Sequence, residues 1–344
     1  APARLTSSGI VVFPFAGSDK NSAEIGVGLA DALTNKLGNI KSLQVISANT
    51  GRSLASTDPA ALDSRLGIAY VIRGSIKRSG TSATLDAELL DARNGNALFR
   101  ENFAAPDGNL FRIQTKLAER IWTSLAIDPL PMERQQVERS YTENAAAYNL
   151  YLQGRSEMTG RSLNGLNTAA ASFSRALNED EKFALAYVGL ADVLALLNLY
   201  SIEPTKNAYP QAKQYAARAL EIDSDLAEAH ATLAYIKFFH ERDRAGSELE
   251  FRRAIQVNPS YAPAHHWFAL TLAAKGEKVD AETEIEIAKR LDPNAAAIRA
   301  AAGAPVGTAS PASTSTAITS FTFTPWAPSG TTILPRMPSS TAST

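Results

Sequence analysis

The chain has 344 residues, 45% hydrophobic and 20% charged, with a formal net charge of −1 and no cysteine. That composition belongs to an ordinary globular chain long enough for about two domains, each with its own core. It excludes disulfides, thiolate metal sites and a cysteine nucleophile, and it gives no electrostatic case for nucleic acid as a partner. No apolar run reaches the roughly 20 residues a helix needs to span a bilayer. Residues 1–9 lack the basic start and apolar core of an export signal.

The run Gly9-Ile10-Val11-Val12-Phe13-Pro14-Phe15 reads as a buried strand closed by proline. Ser22 then offers an N-cap for an amphipathic helix from about Ala23 to Leu37, stopped at Gly38. A strand at Leu43–Ile46, a polar stretch, a short helix near Pro59–Leu66 and a strand at Tyr70–Ile76 follow. Ser79-Gly80 and Asn94-Gly95 turn the chain through two further strands, Ala83–Leu90 and Ala97–Phe103, because such pairs tolerate positive φ. A helix from about Asn109 to Ala126 completes a β-α-β-α-β-β-β-α order, which implies a mixed sheet covered by helices.

Val11–Phe15, Gly28-Leu29-Ala30-Asp31-Ala32-Leu33, Leu66–Ser75, Leu89-Leu90-Asp91-Ala92 and Asn94-Gly95 together resemble the TolB amino-terminal-like domain, over nearly all of residues 9–126. The resemblance implies a sensory or docking region with no catalysis of its own. In that family the domain stands beside tetratricopeptide repeats in bacterial regulators that carry a winged-helix, serine/threonine kinase or cyclase domain.

Asp128-Pro129-Leu130-Pro131 marks a boundary, and Met132–Ser140 is charged enough to predict a solvated linker helix. Behind it, His265–Pro293 reads as two short helices joined at Lys275-Gly276 and stopped at Asp292-Pro293. Ala254 and Ala288, Phe251 and Ile285, and Pro259 and Pro293 are each spaced by 34, the period of a helix-turn-helix solenoid. Earlier copies place Tyr148, Tyr151 and Leu152 with Ala169, Phe173 and Ala176. Tyr187, Leu190 and Ala191 pair with Ala212, Ala216 and Ala219, and His230, Leu233 and Ala234 with Ser247, Phe251 and Ala254. Four registered copies resemble the tetratricopeptide (TPR) signature. One unit cannot bury its apolar face alone, so the copies stack.

Two departures from the period carry information. A surplus of nine residues falls in Leu199–Asn207, within the second copy, where insertions map to one face and serve either as a cap or as a partner contact. After Arg299 the chain turns to Ala, Ser, Thr, Pro and Gly with one charge, Arg336, which predicts a disordered tail. The abrupt loss of register also motivates a second reading, that the tail is out-of-frame sequence. Either way, the last helix, Val279–Leu291, offers an apolar face with no partner helix unless the tail or another chain covers it, and fraying or self-association is expected there.

The expected architecture is a small mixed-sheet α/β domain over residues 1–128, a linker helix over 129–142, an all-α right-handed TPR solenoid of about four repeats over 143–299, and a disordered tail over 300–344. Chemistry is sparse within it. Gly26-Val27-Gly28 lacks the remaining residues of a phosphate loop and reads as close helix-to-sheet packing. His230 and His265 share a slot in consecutive copies and read as structural. Glu282, Glu284 and Glu286, two apart on a helix, read as a solvated face.

No enzyme activity, metal or cofactor is implied. The first helix of each copy lines a concave groove, and helical phase turns Asn149, Gln153, Val188, Asp192, Tyr235, Phe238, His266 and Leu270 inward. That mixture suits a protein or peptide ligand held by aromatic anchors, and Tyr235→Ala with Phe238→Ala is expected to abolish capture while sparing stability. Two functions fit: a stand-alone scaffold, or the sensor half of a membrane regulator whose effector domain lies upstream. The compartment follows that choice, periplasmic for the regulator and cytoplasmic otherwise.

Overall fold

Strand β1 (Gly9–Val12) is buried at every position because it has parallel neighbours on both sides, β3 (Gln44–Val45) and β4 (Ile68–Ser79). This explains its unbroken apolar run. These elements belong to a computed structural model that describes residues 9–159, 162–200, 208–295, 298–299 and 301. Antiparallel β5 (Ser82–Asp91) and β6 (Ala97–Ala105) extend the sheet to the order β3-β1-β4-β5-β6, while β2 (Ala16–Gly17) pairs with β4. Both hairpin turns use the glycines the sequence marks: Gly80 and Gly95 lie at φ +57° and +72°.

Helix α1 (Lys20–Leu37) begins earlier than Ser22 suggests. Asp19 is the cap, and its carboxylate accepts the Ser22 amide at 2.9 Å and the Ser22 hydroxyl at 2.7 Å. A helix not expected from the sequence, α2 (Ala48–Leu54), forms in the polar stretch because Ser47 caps it by accepting the Thr50 amide. With α3 (Pro59–Leu66) on the same side, Val11, Ile46, Leu62, Val71 and Leu90 make one buried layer. On the other face, α1 and α4 (Leu110–Ser124) cover Ile10, Ile72, Leu85 and Phe99 with Leu29, Leu33, Leu117 and Ile121. Each such leucine contributes about 1.5–3 kcal/mol by leaving water.

Four helix pairs follow: α6 (Ala145–Met158) with α7 (Leu163–Glu179), α8 (Ala184–Tyr200) with α9 (Ala208–Ile222), α10 (Ala227–Ile236) with α11 (Arg244–Val257), and α12 (Ala262–Lys275) with α13 (Lys278–Leu291). The fold is the one expected, a small mixed-sheet unit followed by a TPR-type helical solenoid. The small residues sit where helices touch: Ala169, Ala212, Ser247 and Ala281 are all buried. One irregularity was not foreseen. Helix α10 runs on as a π-helical turn, Lys237–Glu241, ended by Arg242 in the left-handed region at φ 62°. The expected insertion loop and the expected disordered tail fall on residues 201–207 and beyond 301, outside the described residues.

Three expectations need correction. Helix α5 (Pro131–Glu138) is docked, not a solvated linker: Val137 is fully buried and its carbonyl accepts the Lys36 ammonium at 2.5 Å. The end of α13 is also covered, since Ile298 packs with Ile285, Ala288 and Leu291, and the Leu291 carbonyl accepts the Ser47 amide at 2.8 Å. The glycine pair does pack closely, but in two directions. A Cβ on Gly26 would meet the Phe15 carbonyl oxygen at 2.1 Å, on the sheet side. One on Gly28 would meet the Leu152 carbonyl oxygen at 1.9 Å, on α6 of the array.

A continuous buried core joins the two halves. It runs from Leu29 and Leu33 of α1 through Phe111 and Trp122 of α4 to Tyr148, Leu152 and Phe183 of the first repeats. The Tyr148 hydroxyl donates to Gln114 on α4 at 2.5 Å, so a polar bond threads the apolar seam.

Candidate functional site: the inner face of the repeat array

The residues that close each repeat position the site. Asp180, Asp223, Asn258 and Asp292 stand after the second helix of the four pairs, and each directs its side chain to a partner outside its own pair. Asp180 accepts the Thr142 hydroxyl at 2.5 Å, and Asp223 accepts Arg139 just beyond α5. Asn258 donates to the Asn35 carbonyl at the end of α1, 3.2 Å away, and neighbouring Ser260 bridges Leu43 and Val45. Asp292 accepts the Thr50 hydroxyl at 2.7 Å. The last two corners fasten the α/β unit to the array, and the first two hold the segment that joins them.

So fastened, α1 packs against α6, the first helix of the array. Asp31 forms an ion pair with Arg155 of α6 at 2.5 Å, with side-chain exposures of 16% and 13%. Asp31 and Arg155 also act electrostatically on Asp192 of α8, Glu228 of α10 and Tyr261 before α12. Groups on α8, on α10 and at the start of α12 thus lie within electrostatic reach of this ion pair. Burial works against the Arg155 charge, but the surrounding acids, Asp31 first, hold it well above the ordinary value. Burial pushes Glu228 and the Tyr261 hydroxyl up.

The eight side chains expected to face a ligand do not share one surface. Val188 is buried at 1% exposure. Asp192 is part-buried and accepts the Thr232 hydroxyl at 2.5 Å. Gln153 donates to Glu157 at 3.2 Å, and the buried Asn149 Oδ1 has no hydrogen-bond partner. Tyr235 and Phe238 are only 6% and 7% exposed. Tyr235 packs at 4.6 Å from Phe239, 4.9 Å from Trp267 and 6.2 Å from Tyr209, while Phe238 meets Phe239 edge-on. His266 is buried and Leu270 is half-buried. The aromatics are thus walls supporting one another, and Phe239 and Trp267 are partly exposed members of that cluster.

His230 and His265 do hold equivalent places. His230 bonds Glu250 at 2.7 Å and the Ser224 carbonyl at 3.0 Å; His265 bonds Glu284 at 2.6 Å and the Pro259 carbonyl at 2.9 Å. Each ring clasps the second helix of its own pair to the preceding corner. Glu284 is accordingly not a solvated group, whereas Glu286 pairs with Lys289 at the surface. Among the described residues no group of three or more acids and histidines is arranged to hold a metal ion. No helix among them is long and apolar enough to cross a membrane.

Sequence reasoning missed Asp31, Arg155, Glu228 and Tyr261. The available signal was Asp31 itself, a lone acid in the otherwise small and apolar run Gly28–Leu33.

Residues 6–120 match the family model described as HilA/YgeH-like transcriptional regulator, second domain. A protein named putative adenylate cyclase 3 from Rhizobium meliloti is 24% identical over 233 residues, covering 65% of this chain and 39% of its own length. The transcriptional regulator HilA of Salmonella typhimurium is 24% identical over 235 residues, covering 68% of this chain and 41% of its own. The chain therefore spans about two fifths of the length of these curated relatives. Among solved structures, the TPR protein YrrB, described as having an unusual peptide-binding site, aligns with 22% identity over 46% of this chain and 74% of its own, at a TM-score of 0.32. The TPR protein TTC0263 of Thermus thermophilus aligns with 14% identity over 55% and 87%, at 0.38. TolB of Acinetobacter baumannii aligns with 18% identity over 37% and 30%, at 0.28.

Proposed function

We propose that this chain is the non-catalytic sensor and docking part of a larger bacterial signalling regulator, with a TolB-like α/β domain over residues 1–128 and a TPR array over 143–299. The observation that carries this reading is the close packing of α1 on α6, where Gly28 lies against the Leu152 carbonyl and Asp31 pairs with Arg155. A module in which one domain is packed directly on the first repeat of the other is suited to relaying a binding event at one to the other. The relatives' names, a cyclase and a transcriptional regulator, support placing the effector domain outside these residues.

A peptide or protein ligand then meets the rim left open beyond α1, with Leu270, Trp267 and Phe239 as apolar contacts and Tyr235, Phe238 and His266 supporting them from beneath. Asn149 and Gln153 stand on α6, the helix α1 packs against, and Val188 and Asp192 on α8 beside it. The test is selection of peptides from a displayed random library on the immobilised chain. Leu270→Asp is expected to abolish capture with the fold intact, and Asp31→Asn to leave it in place. Peptides that bind Leu270→Asp as well as wild type would remove the rim from the proposal. An open reading frame continuing upstream of Ala1 into a cyclase or DNA-binding domain would support the regulator; a start codon at that point would sink it.

A further inference from the structure

The two edges of the sheet are finished differently. On the β3 side the array takes up the outward backbone groups. The Val45 amide donates to Ser260 Oγ at 3.1 Å, Ser260 donates to the Leu43 carbonyl at 3.3 Å, and the Ser47 amide donates to the Leu291 carbonyl at 2.8 Å. On the β6 side no described element does the same.

The register tells which groups are left there. Ala92, just past β5, donates to the Ala69 carbonyl of β4 at 2.8 Å, while Asp91 donates towards β6, to Asn96 at 2.9 Å. Backbone direction alternates along a strand, so the even-numbered residues of β5 bond β4 and the odd-numbered ones bond β6. Leu85, Ala87 and Leu89 thus meet Phe103, Glu101 and Phe99. The N–H and C=O groups of Arg100, Asn102 and Ala104 point the other way, out of the sheet, and among the described residues nothing is bonded to them. The side chains of all three are exposed as well.

An open edge is a template for another strand unless something guards it. Between Ala97 and Ala105 there is no proline and no lysine. The charges present are neutralised within their own sheet: Glu88 holds Arg100 at 2.6 Å, Arg120 holds Glu101 at 2.8 Å, and Asn102 donates to Asp86 at 2.7 Å. What remains unmatched along this edge is backbone.

We propose that β6 is a self-pairing edge: a second copy of this chain adds its own β6 antiparallel, with Asn102 on the two-fold axis. The inference goes beyond the proposed peptide binding and stands whether or not a peptide occupies the array. An axis normal to the sheet sets residues of the same face opposite each other, and charge then selects the register. With Asn102 on the axis, Arg100 faces Ala104 of the second copy, Asn102 faces Asn102 and Glu101 faces Phe103, with about two hydrogen bonds for each pair of outward residues. Centring on Glu101 or on Arg100 sets like charges directly opposite, which destabilises. Centring on Phe103 brings Pro106, which has no amide, opposite Arg100. The contact is the same on both copies and closes after two. The array's corners at Ser260 and Leu291 hold the other edge and stand clear of it.

Sedimentation velocity of the full chain, in a concentration series up to its solubility limit, is expected to show a reversible monomer–dimer equilibrium. Asn102→Pro removes an outward amide and leaves the ladder to β5 untouched. It is expected to weaken the dimer by at least about tenfold, the loss of two hydrogen bonds, with the urea midpoint unchanged at concentrations where wild type is monomeric. Asn102→Glu and Asn102→Lys each place like charges on the axis, so each alone is expected to be monomeric and their equimolar mixture to regain the dimer. If Asn102→Pro lowers the urea midpoint, the Glu and Lys variants, which keep the backbone amide, decide. A wild type that is monomeric at every concentration, a dimer that persists in the variants, or a mixture that stays monomeric overturns the proposal.

Discussion

A Cβ on Gly28 would lie 1.9 Å from the carbonyl oxygen of Leu152, so α1 and α6 meet backbone to backbone. That approach brings Asp31, three residues on, to Arg155, three residues past Leu152. One glycine and one ion pair thereby set how the α/β unit sits in the array.

Gly28→Ala is the first consequence. In an open helix this change gains about 1 kcal/mol from propensity. Here the two helices must part, and overpacking of this kind costs about 1–3 kcal/mol. The urea midpoint should fall with little change in slope; a rise would show that α6 yields freely.

The ion pair should respond unequally to the loss of its two members. Arg155→Met leaves Asp31, Asp192 and Glu228 with no neighbouring guanidinium, and stranding buried charge costs about 3–5 kcal/mol. Asp31→Asn keeps a hydrogen-bonding group and leaves Arg155 with two acids, so its loss should be smaller. Thermal melts of both variants check the order, and equal losses would contradict it.

Tyr235 and Phe238 were expected from sequence to be removable without harm to the fold. Their burial reverses that expectation. Truncating a buried aromatic ring to alanine costs about 3–5 kcal/mol, so either variant should melt well below wild type, measured by circular dichroism. Leu270→Asp, at a half-buried position, should not.

Glu250 gives an acid-side prediction. The His230 bond, helped by Lys237 and opposed by burial, holds Glu250 down to about 2. A depressed carboxyl contributes stability that is present above its unfolded value, near 4.5, and lost as pH falls through 2. Solvent screening limits the amount to about 1 kcal/mol. The stability gap between wild type and Glu250→Gln, from urea unfolding, should be constant above pH 5 and narrow at pH 3.

The hydrophobic patterns determined by themselves which segments became strands and helices. The run at Ile10–Val12, the Asn94-Gly95 turn and the 34-residue echo of Phe251 in Ile285 each depend on contacts within one unit or between neighbouring repeats, and such periodicities are written locally. The slot shared by His230 and His265 was legible for the same reason. Local capping chemistry was read less well: Asp19 displaced Ser22 as the cap of α1, and Ser47 made a helix of a stretch that looked like loop.

Only the tertiary structure decided what the inner face of the array touches. Helical phase turned Val188, Asp192 and Tyr235 inward, but phase carries no information on what lies opposite. The partner of Arg155 is 124 residues earlier in the chain, and that of Asp292 is 242 residues away at Thr50. Those pairings arise from packing one finished unit against another, where a single missing Cβ at Gly28 fixes the approach, and no period in the sequence records them.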